Sequence, residues 1–191
     1  MFEDKGFPRL TLDEISQLWQ KGQPFKKDDM VPDGKFSCIH YGELFTKYGV
    51  FIDDVFSKTF SDKTRISKQG DILFPASDVT PLGLTKCSAL LLDDVILGGD
   101  IIVMRPKAGN NSVYLSFAIR MEREQLSSII TGSVVRHISA KGLQTISIIV
   151  PPIEEQNRFE GLIRQSDKSK FELQKSIEKI DNLIKSLIQQ N

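Results

Sequence analysis

The clearest pattern of apolar and polar positions lies at the C-terminal end of the chain. After Pro151-Pro152 there is no further proline and one glycine, Gly161. Apolar side chains fall at Phe159, Ile163, Leu173, Ile177, Ile180, Ile184 and Leu187, the later ones stepping by four and three. That spacing predicts a helix with a coiled-coil seam, narrower than the stripe of a core-facing helix. Ser166 and Lys170 hold the same phase and interrupt it. Proline suits the first helical turn, and Glu154 and Glu155 set negative charge at the positive end of the helix dipole. Glu154–Arg158, Glu160–Arg164 and Asp181–Lys185 are acid-before-base pairs four apart, which support an exposed helix. At about 1.5 Å per residue it would reach roughly 55 Å and project from a small domain. A projecting apolar seam needs a partner; the alternative is a helix folded back on its own domain.

Upstream, the periodicity changes. Leu12, Ile15 and Leu18/Trp19 are at helical spacing, and Thr11 with Glu14 makes a capping-box signature, so a short helix is predicted from residue 12 to a stop at Lys21-Gly22. Lys35–Tyr41 alternates as a strand does, and Val50–Ile52 predicts a short strand. Glu43–Tyr48 fits a helical turn. Ser57–Lys68 is polar and reads as an exposed connection. Gly70–Pro75, Ser88–Leu92 and Asp100–Arg105 predict strands, with a loop at Ala76–Gly83 and another at Pro106–Asn111. Val113–Glu122 predicts a helix continued by Leu126–Ile130, and Ile146–Val150 a buried strand feeding the terminal helix. The expected architecture is α+β: a mixed α/β domain over residues 1–150 and a long helix over 151–191.

Composition changes this picture little. The chain of 191 residues has 25 Lys and Arg against 25 Asp and Glu, so charge alone makes no case for nucleic acid. No apolar run approaches membrane-helix length, and Met1–Gly6 does not read as a signal peptide. Cys38 and Cys87 lack metal-type spacing and read as buried, reduced thiols of a cytoplasmic protein.

A search for catalytic patterns finds none. There is no Gly-rich phosphate loop and no Gly-x-Ser-x-Gly elbow. His40 and His137 are far apart and belong to no ligand cluster, and His40 reads as a structural strand residue. Asp53-Asp54 and Asp93-Asp94 are neighbours that would face opposite ways on a strand, so they read as solvated turns. The one Pro-Pro, in Val150-Pro151-Pro152-Ile153, lacks the Asn/Asp and aromatic residue of an adenine-methyltransferase motif. The chain is expected to be no enzyme.

The order of motifs does carry a resemblance. Leu12-Asp13-Glu14-Ile15, Gly70-Asp71-Ile72-Leu73, Gly132-Ser133-Val134-Val135-Arg136-His137-Ile138, Leu143-Gln144-Thr145-Ile146 and Val150-Pro151-Pro152-Ile153-Glu154-Glu155-Gln156 follow one another across nearly the whole chain. This succession resembles the specificity (S) subunit of type I DNA restriction-modification enzymes. More narrowly, it is similar to one target recognition domain followed by one spacer helix, where family members usually carry two of each, so a fragment, a natural half-subunit and a truncated gene product are all compatible with the resemblance.

The resemblance implies a protein that reads one half of a split double-stranded DNA target. Two copies would pair through antiparallel helices into a coiled coil, as a homodimer that reads an inverted repeat. It implies partners that do the chemistry: modification subunits using S-adenosylmethionine and a restriction subunit using ATP, with no cofactor in this chain. Candidate DNA contacts are Lys58, Lys63, Arg65, Lys68, Ser77, Thr80, Lys86, Arg136, His137 and Lys141, residue types suited to phosphates and base edges on exposed loops. Phe45, Tyr48, Phe51 and Phe60 could pack on sugars, but core membership is the simpler assignment. Candidate dimerisation residues are the seam named above. The competing reading is a non-enzymatic adaptor, an α/β domain on a coiled-coil stalk that binds protein.

Overall fold

Two uninterrupted apolar runs, Ile72-Leu73-Phe74 and Ile101-Ile102-Val103-Met104, set the layout, because a strand apolar at every position must be covered on both faces. A computed structural model describes residues 6–24, 26–62 and 67–189, the side chains of Pro81 and of residues 187–189 excepted. The elements run β1 (Arg9–Thr11), α1 (Leu12–Ile15), β2 (Ser16–Lys21), β3 (Phe36–Ile39), α2 (Glu43–Thr46), β4 (Phe51–Ile52) and β5 (Lys58–Thr59). Next come β6 (Asp71–Pro75), β7 (Ser77–Asp78), α3 (Pro81–Leu84), β8 (Ser88–Leu90), β9 (Ile96–Leu97) and β10 (Ile101–Pro106). The chain closes with α4 (Ser112–Met121), α5 (Arg123–Ser128), β11 (Arg136–His137), α6 (Ala140–Gln144), β12 (Ser147–Ile149) and α7 (Ile153–Gln189).

The central sheet has five strands in the order β2-β10-β6-β8-β4, antiparallel except for β4 with β8. Ile72, Phe74, Ile102 and Met104 face one side, into a core with Leu12, Tyr114, Leu115 and Ile148. Leu73, Ile101 and Val103 face the other, into a core with Ile39, Leu44, Ile52 and Leu97. A three-stranded sheet, β5-β3-β9, flanks this second core. The architecture is the expected α+β one with a long C-terminal helix.

Asp71, with 0% exposure at the start of β6, faces Arg105 on β10. The contact is bidentate, Nε to Oδ1 at 2.7 Å and Nη2 to Oδ2 at 2.8 Å, and the Lys68 N–H also donates to Oδ2 at 2.9 Å. The carboxylate holds the Arg105 guanidinium further above its already high range. Gly70 enters the strand at φ 90°, a conformation that side-chain-bearing residues resist.

Several local expectations are corrected. The capping box at Thr11 forms, with the Thr11 N–H donating to Glu14 Oε2 at 2.7 Å and holding that carboxyl below its usual range. The helix it starts is one turn, however, and residues 16–21 leave as β2. Trp19 pairs with Met104, packs 6.2 Å from the Phe74 ring and donates Nε1–H to Ser16 Oγ at 2.7 Å. Pairing with β10 outweighs a weak local helical preference. The polar connection at Ser57–Lys68 contains β5, with Thr59 buried and its hydroxyl donating to the Asp29 carbonyl. The loop at Ala76–Gly83 holds β7 and the start of α3. β1, β9, β11 and α6 have no counterpart among the elements expected from spacing.

The helix α7 spans 37 residues. Its first turns are bolted to the domain. Gln156, 1% exposed, accepts the Asn111 N–H at 2.9 Å and donates to the Pro151 carbonyl at 2.8 Å. Asn111 caps α4 by accepting the Tyr114 N–H, while its amide donates to Asn157 and Glu160. Phe159 packs edge-on to Tyr114 at 5.7 Å and against Phe117 at 4.9 Å. Arg164 pairs with Glu160 at 2.7 Å and lies over the Phe51 ring at 4.9 Å. From Arg164 to Ser186 every residue is exposed, so the helix projects and is not folded back. None of the described helices is long and apolar enough to cross a membrane.

Gln156→Ala strands a part-buried N–H and a buried carbonyl. It is expected to cost about 1–3 kcal/mol, read as a lower urea midpoint. An unchanged midpoint would mean that water replaces the amide.

Candidate nucleic-acid interface

β6 carries the chain from the helix base to a different surface. At its N-terminal end, Gln69 and Gly70 line a polar cleft shared with Asn111, Asn157, Glu160 and Arg164. At its C-terminal end, β7 pairs with β11 as a two-stranded ribbon, Ser77 opposite His137 and Asp78 opposite Arg136. Five strand residues separate the two ends by roughly 15 Å.

The ribbon belongs to a tight hairpin. The Thr131 and His137 backbones exchange N–H···O bonds at 3.0 and 2.8 Å. Gly132, at φ 91°, turns so closely that a Cβ there would strike the Val135 carbonyl. The tip leaves Val134 80% and Val135 47% exposed. Beside it, Val79 and Leu82 are exposed as well. The Asp78 carboxylate accepts the Val79 N–H and the Thr80 hydroxyl, both at 2.7 Å, and fills the space where a side chain on Gly83 would sit. This surface can offer methyl groups, hydroxyls, an imidazole and a guanidinium to a flat polar partner.

The predicted contacts divide among several places. Thr80, Arg136 and His137 gather on or beside the ribbon, and Lys141 is exposed on α6, which follows it. Ser77 and Lys86 are also nearby but have structural partners. Ser77 is 8% exposed and donates to Asp100 at 3.2 Å, and the Lys86 ammonium donates to the Phe45 carbonyl at 2.9 Å. Lys68 lies at the helix-base end of β6, and Lys58 on the separate three-stranded sheet. Lys63 and Arg65 fall outside the described residues. No single basic face is formed from the candidates described, since Asp78 and Asp100 sit among them. Sequence reading missed Val79, Leu82, Val134 and Val135; the only signal was apolar residues placed directly beside turn residues. Among the four aromatics, Phe60 is 61% exposed, Phe45 and Tyr41 form an edge-on pair, and Tyr48 packs against the second core.

His40 is a turn residue. Its Nδ1 accepts the Gly42 N–H at 3.2 Å, and burial lowers its pKa while Glu43 and Asp100 oppose that shift. Among the described residues no cluster of His, Cys, Asp and Glu could hold a metal ion.

The seam residues fare differently from one another. Phe159 is turned inward onto α4, and Ile163 is half-buried beside it. Leu173, Ile177, Ile180 and Ile184 are 49–64% exposed. The Leu187 side chain lies outside the described residues.

Comparison with known proteins matches this geometry. The family model for the type I restriction modification DNA specificity domain matches residues 5–182. No curated protein matches the chain. The fold is similar to that of the S subunit of a type I restriction-modification system from M. genitalium, with a TM-score of 0.61 at 12% identity, covering 85% of this chain and 39% of that one. It is similar to a structure described for complex assembly and conformational transition of the type I R-M system, TM-score 0.67 at 17% identity, covering 95% and 43%. It is also similar to the HsdS subunit from Thermoanaerobacter tengcongensis, TM-score 0.59 at 18% identity, covering 86% and 38%. The chain thus spans about two-fifths of each of these structures. With the family match running from the first strand into the projecting helix, the chain belongs to the type I restriction-modification DNA specificity family.

Proposed function

We propose that this chain is a non-catalytic DNA-recognition unit that reads one half of a bipartite DNA target through the β7–β11 ribbon. Two copies pair through α7, and the paired helices set the gap between half-sites. The assembly directs modification subunits, which use S-adenosylmethionine, and a restriction subunit, which uses ATP. The observation that carries this reading is the placement of ribbon and helix base at opposite ends of β6. One end is free to meet a duplex while the other fixes its position. Phosphate contacts position such a protein and base-edge contacts specify the site. The zero formal net charge leaves little non-specific affinity, so the modification subunits supply much of the binding.

Arg136→Ala and His137→Ala, assayed in complex with the modification subunits, are expected to weaken specific binding about 10- to 100-fold and to relax base preference. Lys58→Ala should change it little. Because Arg136 Nε is buried and unpaired, melting curves must accompany the binding data. Unaltered site affinity in both ribbon variants would refute the assignment.

The adaptor reading draws on the exposed apolar quartet Val79, Leu82, Val134 and Val135, a surface equally suited to a protein. It predicts that the same variants lose a protein partner and leave DNA binding untouched.

A further inference from the structure

The tip of the β7–β11 ribbon is apolar where a surface that meets a charged duplex would be expected to carry cations. Asp78 pairs with Arg136 in antiparallel register, so Val79, leaving β7, and Val135, entering β11, emerge at the same end of the ribbon. Val134 is 80%, Val79 70%, Leu82 63% and Val135 47% exposed.

These side chains stand on a fixed frame. Thr131 and His137 close the hairpin through two backbone bonds, and Gly132 turns so tightly that a Cβ there would meet the Val135 carbonyl. The Asp78 carboxylate holds the Val79 N–H and the Thr80 hydroxyl and lies where a Gly83 Cβ would sit, next to Leu82 in the chain. Valine is also stiff about χ1. Little freedom is left to lose on binding.

Branched methyl groups cannot pair with phosphate oxygens or with the donors and acceptors of base edges. A two-stranded ribbon fits the major groove, and there the one apolar group that a base pair displays is the C5-methyl of thymine. The minor groove displays none. Valine is also too short to wedge between base pairs, a role taken by side chains such as Phe, Leu and Met. Four aliphatic side chains offer a patch on the order of 400 Å². The patch suits a protein chemically, but each partner in a stable protein interface brings about 800 Å². Arg136 and His137 on the same ribbon add the polar groups that a base edge or phosphate would take.

We propose that Val79, Leu82, Val134 and Val135 read thymine, packing on its C5-methyl group from the major groove and making it a required base of the half-site. The proposal rests on the reading of DNA by the ribbon put forward above, and adds to it the chemical group that is read.

Uracil differs from thymine by that methyl alone and keeps its hydrogen-bonding edge. The chain in complex with modification subunits would first select its target from random duplexes. Thymidines of each half-site, on either strand, are then replaced singly by deoxyuridine. At one position or more, affinity is expected to fall about fourfold, the worth of one buried methyl group. With the four residues changed to alanine, singly and together, the combined variant should bind thymine and uracil duplexes equally and melt as the parent does. A target without thymine, full tolerance of uracil, or a uracil effect that survives the combined variant would overturn methyl reading. If Arg136→Ala still weakens binding in that case, the ribbon keeps its role. Unaltered affinity in both the Arg136 and His137 variants would overturn the two readings together. Loss of a protein partner with intact DNA binding in the combined variant would overturn both in favour of the adaptor.

Discussion

Replacing Asp71 by alanine is expected to lower the stability of the domain by about 3 kcal/mol, the low end of the range for breaking a buried ion pair. The low end applies because the Arg105 side chain is 19% exposed and can recover some water, whereas Asp71 has none to lose to. Three donors lose their acceptor at once: Arg105 Nε, Arg105 Nη2 and the Lys68 N–H. A domain stable by about 5–15 kcal/mol would feel this strongly. Urea unfolding of Asp71→Ala, Arg105→Ala and the double variant would measure it. The double variant should cost clearly less than the two singles added, since each single leaves a charge stranded. A loss below about 1 kcal/mol for Asp71→Ala, or strict additivity, would show that solvent already screens the pair.

Ile180→Asp should abolish pairing while leaving the domain intact. Ile180 is 56% exposed in the single chain, so the folded monomer has little to lose. In the pairing through α7 put forward above, Ile180 lies in the apolar seam, and a carboxylate there must shed water without a partner. At about 2–3 kcal/mol for each of two sites, the dissociation constant would rise on the order of 10⁴-fold. Sedimentation should show a shift to monomer with an unchanged melting curve for the domain. A variant that remains dimeric would place the contact surface elsewhere on the helix or the domain.

The motifs that carry the family resemblance also have visible physical jobs. In Gly70-Asp71-Ile72-Leu73 the glycine supplies the positive φ, the aspartate clamps Arg105, and the two apolar residues face the two cores. In the Pro-Pro-Ile-Glu-Glu-Gln junction it is Gln156 that ties helix to domain, through Asn111. Gly132 permits the close turn of the ribbon hairpin. The residue types were plain in the sequence, but their partners, some 34 and 45 positions away, were not.

The sequence by itself determined whatever depends on neighbours along the chain: the capping box at Thr11 and Glu14, the doubly apolar strands β6 and β10, and the long helix with its four-three spacing. Such features follow from backbone geometry and local periodicity, which any contiguous stretch displays. Only the tertiary structure decided that residues 16–21 form a strand, because Trp19 gains more from Met104 and Phe74 than from another helical turn. It alone turned Phe159 inward, bound Ser77 to Asp100 and Lys86 to the Phe45 carbonyl, and left His137 exposed and Arg136 half-buried on the ribbon. Each of these choices is a competition between partners far apart in the chain, and spacing along the chain does not say which partner wins.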